Sequence, residues 1–229
     1  MSGGTIEAEF AENFLGREKD YDIIIAADRG LSFCRRAEIE PDVILGDFDS
    51  ADASDLDFFR ERFPERILTF PAEKDETDTE LAVWEAAKAG CDEITVLGAT
   101  GTRLDHVLGN IHLLKQALER GIRMYLVDSH NRIRMLRGGE TLTLEKKDQF
   151  GNYVSLIPFT PQVTGLSLTG FAYNVSGFTL ESGCSLGVSN QLSEEAGKIF
   201  FSEGLLLVIE SADRAAGCEA FGGAHDEEK

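Results

Sequence analysis

From about residue 20 to about residue 130, short runs of Val, Ile and Leu alternate with segments of helical spacing, and no other feature limits the fold as much. Asp22 to Ala27, Pro41 to Leu45, Ile67 to Phe70, Glu93 to Leu97 and Arg123 to Val127 read as strands. Leu31 to Ala37, Ala53 to Phe63, Thr79 to Ala89 and Asp105 to Arg120 read as helices, the third stopped by Gly90 and the fourth followed by Gly121. Ile6 to Leu15 has helical spacing as well. Strands joined through helices form a parallel sheet, and such a sheet binds ligands at the carboxyl ends of its strands. Beyond Arg137-Gly138-Gly139 the helices stop. Glu140 to Leu144, Asn152 to Pro158, Gly165 to Thr169, Phe178 to Leu180, Ser185 to Ser189, Lys198 to Phe201 and Leu205 to Glu210 are short segments cut by Gly, Pro and Asn. That texture predicts a β-sandwich or barrel, with a boundary near Arg137. Residues 215–229, small, polar and acidic, read as a fraying tail.

The 229 residues suffice for one or two domains with a proper core. Asp and Glu number 41 against 22 Lys and Arg, a net charge of −19 that argues against duplex nucleic acid as a partner. No apolar run approaches membrane-spanning length. With neither a leader-like start nor a lipidation signal, the expected location is the cytoplasm. Cys34, Cys91, Cys184 and Cys218 form no CxxC pair, so buried reduced thiols are expected rather than a zinc site or a disulfide framework.

The polar clusters at the strand ends carry the chemistry. Gly46-Asp47-Phe48-Asp49-Ser50 closes an apolar strand with two carboxylates two residues apart, which extended geometry would point the same way. Side by side they repel unless a cation lies between them, and hard oxygen donors suit Mg²⁺. Lys74-Asp75-Glu76-Thr77-Asp78 follows another strand, and Asp78 with Thr79 also suits a helix cap. Gly98-Ala99-Thr100-Gly101-Thr102-Arg103-Leu104-Asp105-His106 is a glycine turn entering a helix, where N–H groups receive anions and Arg103 can clamp phosphate oxygens. Asp28-Arg29-Gly30 ends the first strand. Asp47, Asp49, Asp75, Asp78 and Asp105 gathered on one edge would repel strongly, and Mg²⁺ with a polyphosphate would balance them. His106 reads as a general base or as a helix residue that orients its neighbours. Gly183-Cys184-Ser185-Leu186-Gly187 matches the hydrolase elbow spelling, with Asp213 and His225 following. It sits in β-rich sequence rather than at a strand-to-helix turn, which argues against a serine hydrolase.

Taken in order, Ala27-Asp28-Arg29-Gly30, Pro41 through Ser50, Lys74 through Asp78, Gly98 through His106 with Asn110, His130-Asn131 and Ser185 through Asn190 resemble the bacterial thiamine pyrophosphokinase family over nearly the whole chain. The resemblance implies a Rossmann-like, parallel-sheet α/β domain over residues 1–136 and an all-β sandwich domain over 137–214. It implies a homodimer that transfers the diphosphate of ATP to the hydroxyl of thiamine and releases AMP. Asp47, Asp49 and Asp78 are then the expected Mg²⁺ ligands, with Asp75 and Asp105 completing the acidic shell or accepting the hydroxyl proton. Lys74 and Arg103 would face the phosphates, with Asp28, Thr77, Gly98, Thr100, Gly101, His106 and Asn131 around the nucleotide. Ser189 and Asn190 would contact thiamine across the dimer.

Such chains usually begin with a hydrophobic strand leading into the glycine pair that stands here as Gly3-Gly4, and none precedes it in this sequence. The expectation is unpaired backbone beside the neighbouring strands, lower stability, and a true start several residues upstream or a trimmed chain. The competing functions are a diphosphokinase for another hydroxymethyl heterocycle such as a pterin, a non-catalytic thiamine or nucleotide sensor, and a metal-dependent phosphoesterase.

Overall fold

The computed structural model describes residues 1–17, 21–49, 51–71, 73–101 and 103–215. The expected alternation is present as α1 (Ala8–Arg17), β1 (Ile25–Ala27), α2 (Gly30–Arg36), β2 (Val43–Gly46), α3 (Ala53–Arg62), β3 (Ile67–Thr69), α4 (Asp78–Lys88), β4 (Glu93–Leu97), α5 (Leu104–Glu119) and β5 (Arg123–Val127). Local chemistry sets several of these limits. Thr77 caps α4 by accepting from Glu80 N at 3.2 Å, Asp78 and Glu80 occupy its first turn, and Gly90 ends it at φ +89°. Asp52 caps α3 in the same way, accepting from Ser54 N at 2.8 Å.

β1, β2 and β3 pair in parallel, as do β4 and β5. Met1 and Ser2 join the two sets. The Met1 ammonium donates to Ile25 O at 2.7 Å, Ala27 N donates to Met1 O at 2.8 Å, and Ser2 N donates to Leu97 O at 2.8 Å. The expected gap beside Gly3-Gly4 is therefore filled at its carboxyl end. Farther from that end, Ile23, Ile25 and the Glu93–Val96 edge line a cavity of about 230 Å³ under α4. The carboxyl ends of all five parallel strands consequently lie on one edge.

After β5 the chain turns back as β6 (Asn131–Arg137), which pairs antiparallel with β5 and with β12 (Leu205–Ser211), itself paired to β8 (Tyr153–Pro158). The sequence reading does not anticipate β6, although buried Ile133 and Met135 alternate with Arg132 and Arg134. The change of texture at Arg137 falls at its end, and the sheet continues across that point. A second antiparallel sheet, β10-β9-β11-β7, comprises β7 (Thr141–Glu145), β9 (Gln162–Thr169), β10 (Val175–Glu181) and β11 (Ala196–Phe200). It shares one core with β8 and β12 through Leu144, Val154, Leu156, Leu166, Leu180, Ile199, Leu206 and Val208. Glu210, fully buried on β12, receives Arg132 at 2.8 Å and also Arg134, tying β12 to β6.

Ser185 to Ser189 is irregular instead of the expected strand: Ser189 turns at φ +61°, Gly187 O accepts from Leu156 N at 2.8 Å, and Asn190 forms an isolated bridge to Val154 of β8. Cys34 is buried and Cys91 partly so, as expected, whereas Cys184 is exposed in this loop. Cys218, His225 and most of the expected tail lie outside the described residues. No helix among the described residues is long and apolar enough to cross a membrane.

Candidate active site

The pairing of β1 with β2 sets Ala27 beside Leu45, so Asp28, the next residue, and Asp47, one beyond Gly46, emerge close together at the strand ends. Asp28 N donates to Leu45 O at 3.0 Å with Asp28 at φ +46°. Phe48 at φ +61° bends the chain, and Asp49 N donates to Asp47 Oδ1 at 3.0 Å. The two carboxylates thus meet through an Asx turn, and the extended spacing expected from sequence does not apply. One oxygen from each of Asp28, Asp47 and Asp49 lies within 4.8 Å of the others. Ligands on opposite sides of Mg²⁺ stand about 4.2 Å apart, so this hard oxygen set fits that ion in size and chemistry.

Charges and hydrogen bonds set the protonation balance. The Asp49 N–H and the Lys74 ammonium hold Asp47 below the ordinary carboxylate value. Asp49 is pushed up by its contact with Asp47 and by the charges of Asp28 and Asp78. Lys74 lies 2.8 Å from Asp78 Oδ1 and 3.7 Å from Asp47 Oδ2, with 11% of its side chain exposed. Burial alone would lower the ammonium, but the Asp78, Asp47 and Asp28 carboxylates raise it.

Of the expected metal ligands, Asp47 and Asp49 are therefore together, Asp28 joins them, and Asp78 is engaged by Lys74. Asp75 is exposed on the same loop, and Thr77 is consumed by the helix cap. The glycine turn is held from both sides. Gly4 N and Thr5 N donate to Gly98 O and Thr100 O at 2.9 and 3.0 Å, and buried Asn110 donates to Ala99 O at 2.7 Å. Arg103 forks onto Asp105 through Nη2–Oδ2 at 2.6 Å and Nε–Oδ1 at 3.2 Å, both side chains being exposed. The guanidinium holds Asp105 below its ordinary value. His106 is exposed beside them.

A cavity of about 200 Å³ opens between that turn and the β5–β6 turn, bringing Gly98, Thr100, Gly101 and Asn131 together with Thr5, Ile6, Phe10 and Asp128. Asp128 Oδ1 accepts from the backbone N–H of His130 and Asn131 and from Asn131 Nδ2, at 2.7, 2.8 and 3.0 Å. Sequence reasoning misses Asp128, although a carboxylate at a strand's end is the same signal that marks Asp28 and Asp47.

Ser189 and Asn190 lie elsewhere. Asn190 Nδ2 donates to Tyr173 O at 2.8 Å, and Asn190 Oδ1 accepts from Tyr173 N and Gln191 N, so the amide is occupied within the fold. Ser189 is exposed beside Tyr173, Leu186 and Val188, which are 74%, 63% and 50% exposed. From β2 the sheet runs through β1, Met1–Ser2, β4, β5, β6 and β12 to β8. At about 4.8 Å per strand, Asn190 beyond β8 is about 35 Å from the acidic cluster along the sheet.

Residues 17–126 match the family model described as thiamin pyrophosphokinase, catalytic domain, and residues 140–206 match thiamin pyrophosphokinase, vitamin B1 binding domain. The chain is 35% identical over 198 residues to the thiamine pyrophosphokinase of Bacillus subtilis, covering 86% of this chain and 91% of that one. The Bacillus subtilis crystal structure superposes with a TM-score of 0.83 at 33% identity, over 93% of this chain and 97% of that chain. The thiamin pyrophosphokinase of Geobacillus thermodenitrificans gives 0.80 at 34% identity, over 94% and 97%. The mixed α/β fold with a β-rich carboxyl-terminal part agrees with these structures.

Proposed function

The chain belongs to the thiamine pyrophosphokinase family, and we infer that it makes thiamine diphosphate from thiamine and ATP, releasing AMP, at the carboxyl edge of its parallel strands. The observation that carries the site assignment is the convergence of Asp28, Asp47 and Asp49 within 4.8 Å where β1 and β2 end. In this reading those three hold Mg²⁺, with Asp78 beside them. An ion held there would supply positive charge against the phosphates.

The remaining steps belong to the chain's own groups. The N–H groups around Gly98, Thr100 and Gly101 receive phosphate oxygens, and the cavity between Phe10 and Asn131 takes the nucleoside. Arg103 exchanges Asp105 for phosphate, which frees Asp105. Lys74 also faces the phosphates, and His106 orients the start of α5. Asp75, exposed on its loop, accepts the proton of the thiamine hydroxyl as oxygen attacks the β-phosphorus and AMP leaves. Attack at phosphorus needs positioning and charge balance more than covalent catalysis, and this constellation provides both.

Thiamine lies between two copies of the chain in this reading. The separation of about 35 Å between Ser189-Asn190 and the acidic cluster favours a homodimer in which each copy completes the other's site. Exposed Tyr173, Leu186 and Val188 near Ser189, and Leu104 and Leu108 near Arg103, supply apolar contact area for it. Ser189 contacts thiamine directly, while Asn190 shapes the loop through Tyr173. Residues 1–136 act as a Rossmann-like catalytic unit and 137–214 as a sandwich that binds thiamine, in a cytoplasmic enzyme. The vitamin B1 binding match disfavours a pterin substrate. The test is formation of AMP and thiamine diphosphate from ATP, thiamine and Mg²⁺ beside an Asp47→Asn variant. Product with at least about a hundredfold loss in the variant supports the assignment, and no product from folded protein refutes it.

A further inference from the structure

Lys74 is a singular feature of the acidic edge. Its ammonium lies between Asp78, the first residue of α4, and Asp47, at the end of β2, at 2.8 and 3.7 Å. Asp47 also belongs to the three-carboxylate group with Asp28 and Asp49. A cation held by that group shares Asp47 with a positive charge already in contact with it. The two cannot both be close to Asp47 without repulsion, so cation binding and the position of Lys74 are linked.

We propose that Lys74 is the resident counter-ion of the acidic edge: it bridges Asp47 and Asp78 in the cation-free protein, and a divalent cation displaces it from Asp47 toward the phosphates. This rests on the proposed metal site at Asp28, Asp47 and Asp49. Without a cation, Lys74 offsets part of the repulsion among four carboxylates and ties the loop after β3 to the end of β2. With a cation present, that service is redundant, and the ammonium is freed to pair with phosphate. The enzyme thereby couples metal binding to the readiness of a phosphate-binding group, with no change of fold.

Linkage makes the idea measurable without turnover. Mn²⁺ binding to nucleotide-free protein is followed by electron paramagnetic resonance for wild type, Lys74→Met, Lys74→Arg and Asp47→Asn. Removing one positive charge next to a divalent cation in water-like surroundings corresponds to about a tenfold gain in affinity. Lys74→Met is therefore expected to bind Mn²⁺ about tenfold more tightly than wild type, with a lower melting temperature in EDTA and a larger rise on adding metal. Lys74→Arg retains the charge and stays within about threefold of wild type. In wild-type protein, lysine acetylation read by mass spectrometry should be slow at Lys74 in EDTA and faster with Mg²⁺, which keeps the idea testable if Lys74→Met does not fold. Equal or weaker Mn²⁺ binding by Lys74→Met, or equal labelling of Lys74 with and without Mg²⁺, overturns the proposal. Failure of the metal site itself looks different: wild type and Asp47→Asn then bind Mn²⁺ equally poorly.

Discussion

Substituting Gly4 with alanine tests how the glycine turn is held. A Cβ on Gly4 falls 2.3 Å from Gly98 O and 2.4 Å from Thr100 O, where ordinary contact begins at 3.4 Å. Both obstacles are backbone atoms, so rotation of a side chain gives no relief, and the two segments must part by about an ångström. Overpacking of this kind costs about 1–3 kcal/mol. The bonds from Gly4 N to Gly98 O and Thr5 N to Thr100 O weaken as well, at up to about 1 kcal/mol each. A total near 3 kcal/mol lowers the melting temperature of a chain this size by about 6–12 °C. The same displacement moves the N–H groups proposed to receive phosphate, and a 1 Å error in position costs about a hundredfold in rate. Thermal melts and AMP release measured on Gly4→Ala, with Gly16→Ala as a control, check both effects. Gly16 lies on α1 with nothing within 4 Å of where a Cβ would stand, so its substitution is neutral or slightly stabilising. A Gly4→Ala protein that melts within about 2 °C of wild type and retains its activity refutes the packing of the N-terminal segment against the turn.

Asp49→Asn removes a carboxylate crowded by Asp47, Asp28 and Asp78, so the melting temperature in EDTA should rise while AMP formation falls at least about a hundredfold. A variant that loses both stability and activity contradicts the crowding account. Glu210→Gln leaves Arg132 and Arg134 without their buried partner and should cost about 3 kcal/mol in urea denaturation at neutral pH. Burial pulls the Glu210 carboxyl up, but the two arginines prevail and hold it below its ordinary value of 4.5. Its stabilisation is therefore complete above that value and lost as pH falls through the depressed one, so the gap between wild type and variant should narrow only in acid. Asn190→Ala strands the N–H and C=O of Tyr173 and should cost about 2–3 kcal/mol in the same assay. Ser189→Ala should leave stability within about 0.5 kcal/mol and raise KM for thiamine, and the reverse pattern would exchange the roles of the two residues.

By itself the sequence determines the elements whose signals are local. Glu93–Leu97 and Arg123–Val127 follow from apolar runs, α4 from its Thr77 cap and Gly90 stop, and the acidic strand ends from their position in the pattern. Even β6 is written locally, in the alternation of Arg132 and Arg134 with Ile133 and Met135. Tertiary structure alone decides which of the carboxylates meet. Asp28 reaches Asp47 because β1 pairs with β2 and aligns Ala27 with Leu45, a long-range choice absent from either segment's own periodicity. Lys74 reaches Asp47 as well as Asp78 because β2 pairs with β3 and brings the loop entering α4 beside the end of β2. Met1 and Ser2 become structural only because β1 and β4 each leave an edge for them, and Asn190 is claimed by Tyr173 only once β8 brings its loop into place. Periodicity encodes the face a residue presents, whereas its neighbours across a sheet depend on strand order, which the whole core settles together.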